Sequence, residues 1–361
     1  MLKQLLKMIK RNISKFFVFS VCLFLLLNKL SGQTVSPFNK LPLADTSGNY
    51  SFIVSGHFHG ESSNLSTFPA STLLAGIDTL NSIRPSFMIS LGDMFIDLNE
   101  TYVSNYKKSL FSKLNMPIFN AVGNHDLSNN NFYEKVYGKT YYSFSAGSEL
   151  YIVLNTEIND GSIKNEQLEF LKKALEEAQS EKVKNIFIFS HRPVWAENNS
   201  TYEGLFKGNS RTLIGENNFE EDIKPLLLNF PSYKQLYWIS GSLANGPVSF
   251  FYNKEPDSKI LFMQTAIRDL PRDAVLQIDV KNGTVSLKGI SLTGQSLQPI
   301  ETYNLEYWKQ RIDVEEPFNY RLLPLLTMQM LLHHYFWIGF VSSILLLLLF
   351  SFLYNRWKKR G

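Results

Sequence analysis

Residues 117–126 read Pro117-Ile118-Phe119-Asn120-Ala121-Val122-Gly123-Asn124-His125-Asp126. A short apolar run stops at a glycine, and a carboxamide, an imidazole and a carboxylate follow at once. Apolar residues fill most of its positions rather than alternate ones. That pattern reads as a strand covered on both faces, as in an α/β sheet. The polar groups then stand at the strand's C-terminal end, where open α/β sheets bind ligands.

The same layout repeats along the chain. Tyr50 to Ser55, Ser86 to Leu91, Leu150 to Asn155, Asn185 to Ser190 and Gln235 to Ser240 are further short apolar runs, each closing near Gly, Ser, Asn or Asp. Helical patterns lie between them. In Asn165 to Glu181, Leu168, Leu171, Ala174, Leu175 and Ala178 form one apolar stripe against a charged face. From Ser249 the pattern is strands only: Phe250 to Tyr252, Lys259 to Gln264, Ala274 to Val280 and Thr284 to Ile290, with Asn282-Gly283 as a hairpin turn.

Five motifs close these strands. They are Gly56-His57-Phe58-His59-Gly60, Gly92-Asp93-Met94-Phe95-Ile96-Asp97, Gly123-Asn124-His125-Asp126, Ser190-His191-Arg192-Pro193 and Ser240-Gly241-Ser242-Leu243-Ala244. Imidazole, carboxylate and carboxamide suit Zn, Mn or Fe. The only cysteine, Cys22, lies in the N-terminal apolar run, so no thiolate site is available in the α/β region. Asp97 reads as a turn or helix-capping residue rather than a ligand.

In order and setting the motifs resemble those of the calcineurin-like metallophosphoesterases, a superfamily that includes purple acid phosphatases. The resemblance covers roughly residues 50–245 and is reinforced by Gln167 to Leu171 and the passage Phe187 to Trp195. It implies a four-layer αββα sandwich of two mixed sheets, with the strands of 249–290 completing the second sheet. It implies hydrolysis of a phosphate mono- or diester with one or two divalent ions (Mn, Fe or Zn). A pair of ions roughly 3.5–4 Å apart neutralises the anionic ester and activates a water. Carried over by position, His57 and His59 would serve the first ion, with His57 where the family has Asp. An alternative alignment puts Gly56 in that place. Asp93 would bridge, and Asn124 and His191 would serve the second ion. His125 would contact the phosphate and act as acid, with Asp126 orienting it.

The fifth motif departs from the family's G-H-x-H, since Ser242 and Ala244 stand where two ligands are expected. Loss of both imidazoles lowers affinity for an ion pair. The alternative reading is therefore a catalytically impaired relative that binds a ligand or partner, or a structural domain tethered to a membrane.

Both ends point to that membrane. Residues 1–32 carry a basic stretch, then an apolar run from Phe16 to Leu27, and read as a signal peptide or N-terminal anchor. Residues 48–295 form the expected phosphoesterase domain and 296–334 a connector. Tyr335 to Tyr354 is an uncharged stretch of 20 residues, enough to cross roughly 30 Å of hydrocarbon. Residues 355–361 are a basic tail, which the positive-inside rule places in the cytoplasm and the domain outside it. That helix reads as an anchor or as a sorting signal later removed. The net charge of +4 sits largely at the two ends, which gives nucleic-acid binding no support. The expected partners are the membrane and a phosphorylated small molecule or lipid-linked substrate, selected by the loops 60–71, 127–139 and 194–218.

Overall fold

Strands that are apolar on both faces need cover on both sides, and two stacked sheets with outer helices supply it. The computed structural model describes residues 34–359, except 45, 47, 62, 63, 65, 198, 207–216, 232, 233, 244, 255–258 and 312–322. The readings of residues 1–32 and of Ala244 lie outside the described residues.

The first sheet has the order β11-β10-β1-β2-β3, formed by Thr284–Ser291, Ala274–Lys281, Asn49–Ser55, Phe87–Ser90 and Ile118–Asn120. The second runs β4-β5-β6-β7-β9-β8, formed by Tyr142–Ala146, Glu149–Val153, Asn185–Ser190, Gln235–Ser240, Ile260–Thr265 and Phe250–Lys254. Both are mixed. β1, β2 and β3 are parallel, as are β5, β6, β7 and β9, while β10, β11, β4 and β8 pair antiparallel at the edges.

The sheets meet through aromatic side chains. Phe52 and Phe87 of the first lie edge-on to Phe187 and Tyr151 of the second, at centroid distances of 5.3 and 5.1 Å. Their sequence neighbours point the other way: Ile53 and Met88 pack under the helices Ser71–Ala75 and Ile77–Ile83. On the far side, Ile186, Ile188 and Trp238 are covered by the helix Asn165–Glu177 through Leu171, Ala174 and Leu175. The order helix, sheet, sheet, helix is the αββα sandwich that the motifs implied.

Three details differ from the sequence reading. The strands of 249–290 do not all complete the second sheet. β8 and β9 do, but β10 pairs with β1 and carries β11 into the first sheet. The Asn282-Gly283 turn between them has φ of 52° and 85°, both positive as a tight hairpin requires. β4 was not anticipated; it is an edge strand on the far side of β5. The packed domain also runs past residue 295: Ile300, Tyr303 and Trp308 are buried, and the Trp308 indole donates to the Phe250 carbonyl at 2.9 Å.

The C-terminal helix His334–Lys358 has 25 residues, none buried, and is long and apolar enough to cross a membrane.

Candidate metal centre

The C-terminal ends of both sheets converge on one edge, and backbone bonds stitch them there. Gly56 after β1 donates to Thr265 O at 3.1 Å and accepts from Ile267 N at 3.2 Å, which ties the first sheet to β9. Three of the turn residues, His57, Asp93 and Ser242, have positive φ near 50°. Left-handed backbone in non-glycine residues costs energy and collects at functional sites. Gly123 permits a close approach: a Cβ there would lie 2.2 Å from Asp93 Oδ1.

Asp93 is the hub and is almost fully buried. Its Oδ2 lies 3.3 Å from His191 Nε2, 3.5 Å from His57 Nε2 and 3.8 Å from His59 Nε2. Its Oδ1 accepts the His125 backbone N–H at 3.1 Å. Burial opposes ionisation of Asp93, yet His191, then His59 and His57, hold its carboxyl well below the usual range. His191 responds in kind: burial disfavours its charge, but Asp93 outweighs this and pushes it up to about 9. Burial keeps His57 and His59 below the ordinary histidine range and so neutral.

Two rings are anchored by carbonyls. His191 Nδ1 lies 2.8 Å from Leu91 O and His125 Nδ1 lies 2.8 Å from Ile96 O, so in each Nδ1 donates and Nε2 faces the site. His59 Nδ1, His59 Nε2 and His191 Nε2 are buried without a hydrogen-bond partner. Such orphans are rare and ask for a ligand. The separations fit a cation: four ligands at about 2.1 Å around a tetrahedral ion lie about 3.4 Å from one another. Two clusters bring their ligand atoms within 4.8 Å of one another, His57–Asp93–His191 and His59–Asp93–His125. The site therefore fits a metal ion, and Asp93 belongs to both clusters.

The sequence reading had grouped these residues differently. As ligand atoms His57 groups with His191 and His59 with the half-buried His125, although the His57 and His59 rings stack 5.5 Å apart, nearly as close as the 5.2 Å between His59 and His125. Asn124 stands beside His125 in the same turn. Asp126 does not reach the His125 ring as expected. It lies beneath the turn, accepting from Met94 N at 2.8 Å, Phe95 N at 3.1 Å, Gly123 N at 3.0 Å and Asn120 Nδ2 at 3.1 Å. It joins the second and third motifs, and the Ile96 carbonyl holds His125 instead. Asp97 is exposed and accepts from Ser128 Oγ at 2.9 Å, a turn residue as read. Ser242 is buried in the fifth turn.

Two residues escaped the sequence reading. Arg268, three residues past β9, brings Nη1 to 3.4 Å from His57 Nδ1. Glu157 follows β5; both its carboxylate oxygens are buried without hydrogen-bond partners, and burial pushes its pKa up to about 7. Both lie shortly after a strand end, Glu157 past β5 and Arg268 past β9, but neither lies in a recognisable motif.

Comparison with known proteins finds a family match and similar solved structures. Residues 67–222 match the family described as calcineurin-like phosphoesterase, a span that holds Asp93, Asn124, His125, Asp126 and His191. No curated protein matches the chain significantly. Among solved structures, a dimetal phosphatase from Danio rerio is 14% identical, with a TM-score of 0.49 over 67% of this chain and 96% of that one. The GAP50 anchor of the inner membrane complex of Plasmodium is 12% identical, with a TM-score of 0.49 over 70% of this chain and 89% of that one. The purple acid phosphatase PPD1 of yellow lupin (Lupinus luteus) is 13% identical, with a TM-score of 0.47 over 72% of this chain and 54% of that one. Residues 67–222 are thus similar to a calcineurin-like phosphoesterase domain.

Proposed function

We propose that the protein is a metal-dependent phosphoesterase that hydrolyses a phosphate mono- or diester outside the cytoplasm, tethered to a membrane by the helix His334–Lys358. The observation that carries it is the set of buried imidazole nitrogens that converge on Asp93 without a well-formed hydrogen bond. A divalent ion bound there supplies positive charge to a phosphoryl oxygen and lowers the pKa of an attacking water. Asp93, His59, Asn124 and His191 are the proposed holders of the metal. His125 Nε2, at the half-buried edge of the site, is the proposed contact to the phosphate and proton donor to the leaving oxygen. Asp126 fixes the turn that presents Asn124 and His125.

The membrane arrangement rests on a signal-like or anchoring segment at 1–32, the apolar helix and the basic residues from Arg356 onward. A substrate that is itself lipid-linked suits a domain held beside the bilayer.

Full-length protein purified in detergent is expected to retain Mn, Fe or Zn and to hydrolyse bis(p-nitrophenyl) phosphate, with Asp93→Ala abolishing both. Less than one equivalent of metal together with no turnover sinks the enzyme reading. Ser242 favours a second reading, a ligand-binding relative without catalysis, because an imidazole is missing from that turn. Metal and phosphate binding without turnover of any ester tested decides for it.

A further inference from the structure

Arg268 determines which nitrogen of His57 carries the ring proton. Its Nη1 meets His57 Nδ1 at 3.4 Å in hydrogen-bonding geometry. A guanidinium has donors and no acceptor, so Nδ1 must present its lone pair to Arg268. A neutral imidazole holds one N–H, which places the proton on Nε2, the nitrogen 3.5 Å from Asp93 Oδ2. His191 is the opposite case, because its Nδ1 faces a carbonyl and must donate.

An ion entering the His57–Asp93–His191 cluster would thus meet an N–H at one corner, with a guanidinium behind it. We infer that the chain holds one ion rather than two and that His57 is a positioning residue for Asp93, not a ligand. Arg268 then supplies fixed positive charge on the side where a second ion would sit. This rests on the metal-dependent reading of the site.

The test uses the full chain in detergent, stripped with chelator and titrated with Mn²⁺, with bound metal counted by mass spectrometry. A second measurement on metal-free, ¹⁵N-histidine-labelled protein reads the tautomer of each ring from long-range proton–nitrogen spectra. The wild type is expected to bind one equivalent. His57→Asn should keep that equivalent, weakened at most about tenfold, whereas His59→Ala should lose about 100-fold or more in affinity. Arg268→Met, which removes donor and charge at similar volume, should admit a second equivalent and release His57 from the Nε2-protonated form. Arg268→Lys should behave as wild type. Two equivalents in the wild type, one of them lost in His57→Asn, overturn the inference while leaving the phosphoesterase reading intact. No bound metal overturns the phosphoesterase reading and the single ion with it. Protonation of His57 at Nδ1 overturns the positioning role whatever the metal content.

Discussion

Replacing Asp126 by alanine removes the acceptor of four buried hydrogen bonds, from Met94, Phe95, Gly123 and Asn120. The side chain is fully buried, so solvent does not replace it without rearrangement. Each orphaned buried donor costs about 1–3 kcal/mol, which sets a ceiling of about 12 kcal/mol. Two effects reduce that figure: the vacated space admits water, and the carboxylate is itself costly to bury. Burial and then the charge of Asp93 push its pKa up to about 6, and a rise of about two units corresponds to roughly 3 kcal/mol at neutral pH. The balance is a loss of about 3–5 kcal/mol. For a domain of roughly 280 residues, with an unfolding entropy of about 0.6 kcal/mol/K, that lowers Tm by roughly 5–8 °C. The pH dependence has a definite sign. A carboxyl whose pKa is raised in the folded state contributes most stability below the unfolded value and loses it as pH rises through about 6. The gap in Tm between wild type and Asp126→Ala should therefore widen as pH falls from 6 towards 4. Circular-dichroism melts of the full chain across that range measure it. A shift under about 2 °C, accompanied by a large loss of kcat, refutes the structural role and restores Asp126 to the side of His125.

Gly123→Ala should both destabilise the domain, by about 1–3 kcal/mol, and weaken metal binding, because the new methyl would lie 2.2 Å from Asp93 Oδ1. Wild-type stability and metal affinity in that variant would show that the turn relaxes freely. Asp269 accepts from Thr72 N at 2.9 Å, and burial, then Asp273, push its pKa up to about 7. Its folded-state proton outlasts the unfolded-state one between about pH 4 and 7, so stability falls across that window by up to about 1.4 kcal/mol per pH unit. Asp269→Asn should flatten the Tm-against-pH curve, and an unchanged slope contradicts the assignment. Deleting 334–361 should move the protein from the membrane pellet to the soluble fraction; retention in the pellet places the anchor elsewhere.

The sandwich was legible because its strands are covered on both faces. Phe52 and Ile53 are both buried, one against the other sheet and one under a helix, and only a sandwiched strand requires that. Membership of a sheet is not encoded in the same way. β9 and β10 follow one another with similar apolar content, yet one joins β7 and the other β1. Local pattern cannot separate them, because the choice is made by pairing across the whole domain.

The candidate site divides along the same line. Motif spacing brought His57, His59, Asp93, Asn124, His125 and His191 to one edge, since each follows a strand that ends there. Their chemistry depends on what lies behind each ring, and that is supplied from far along the chain. His191 meets a carbonyl 100 residues away and His57 a guanidinium 211 residues away. Two strand-end histidines that look alike in sequence are thereby given different partners behind the ring, a carbonyl for one and a guanidinium for the other. A family pattern transfers positions; the partner on the far nitrogen decides whether a position can bind metal. On the inference above, His57 and Arg268 act as one feature rather than two, a ring and a fixed cation set side by side next to Asp93.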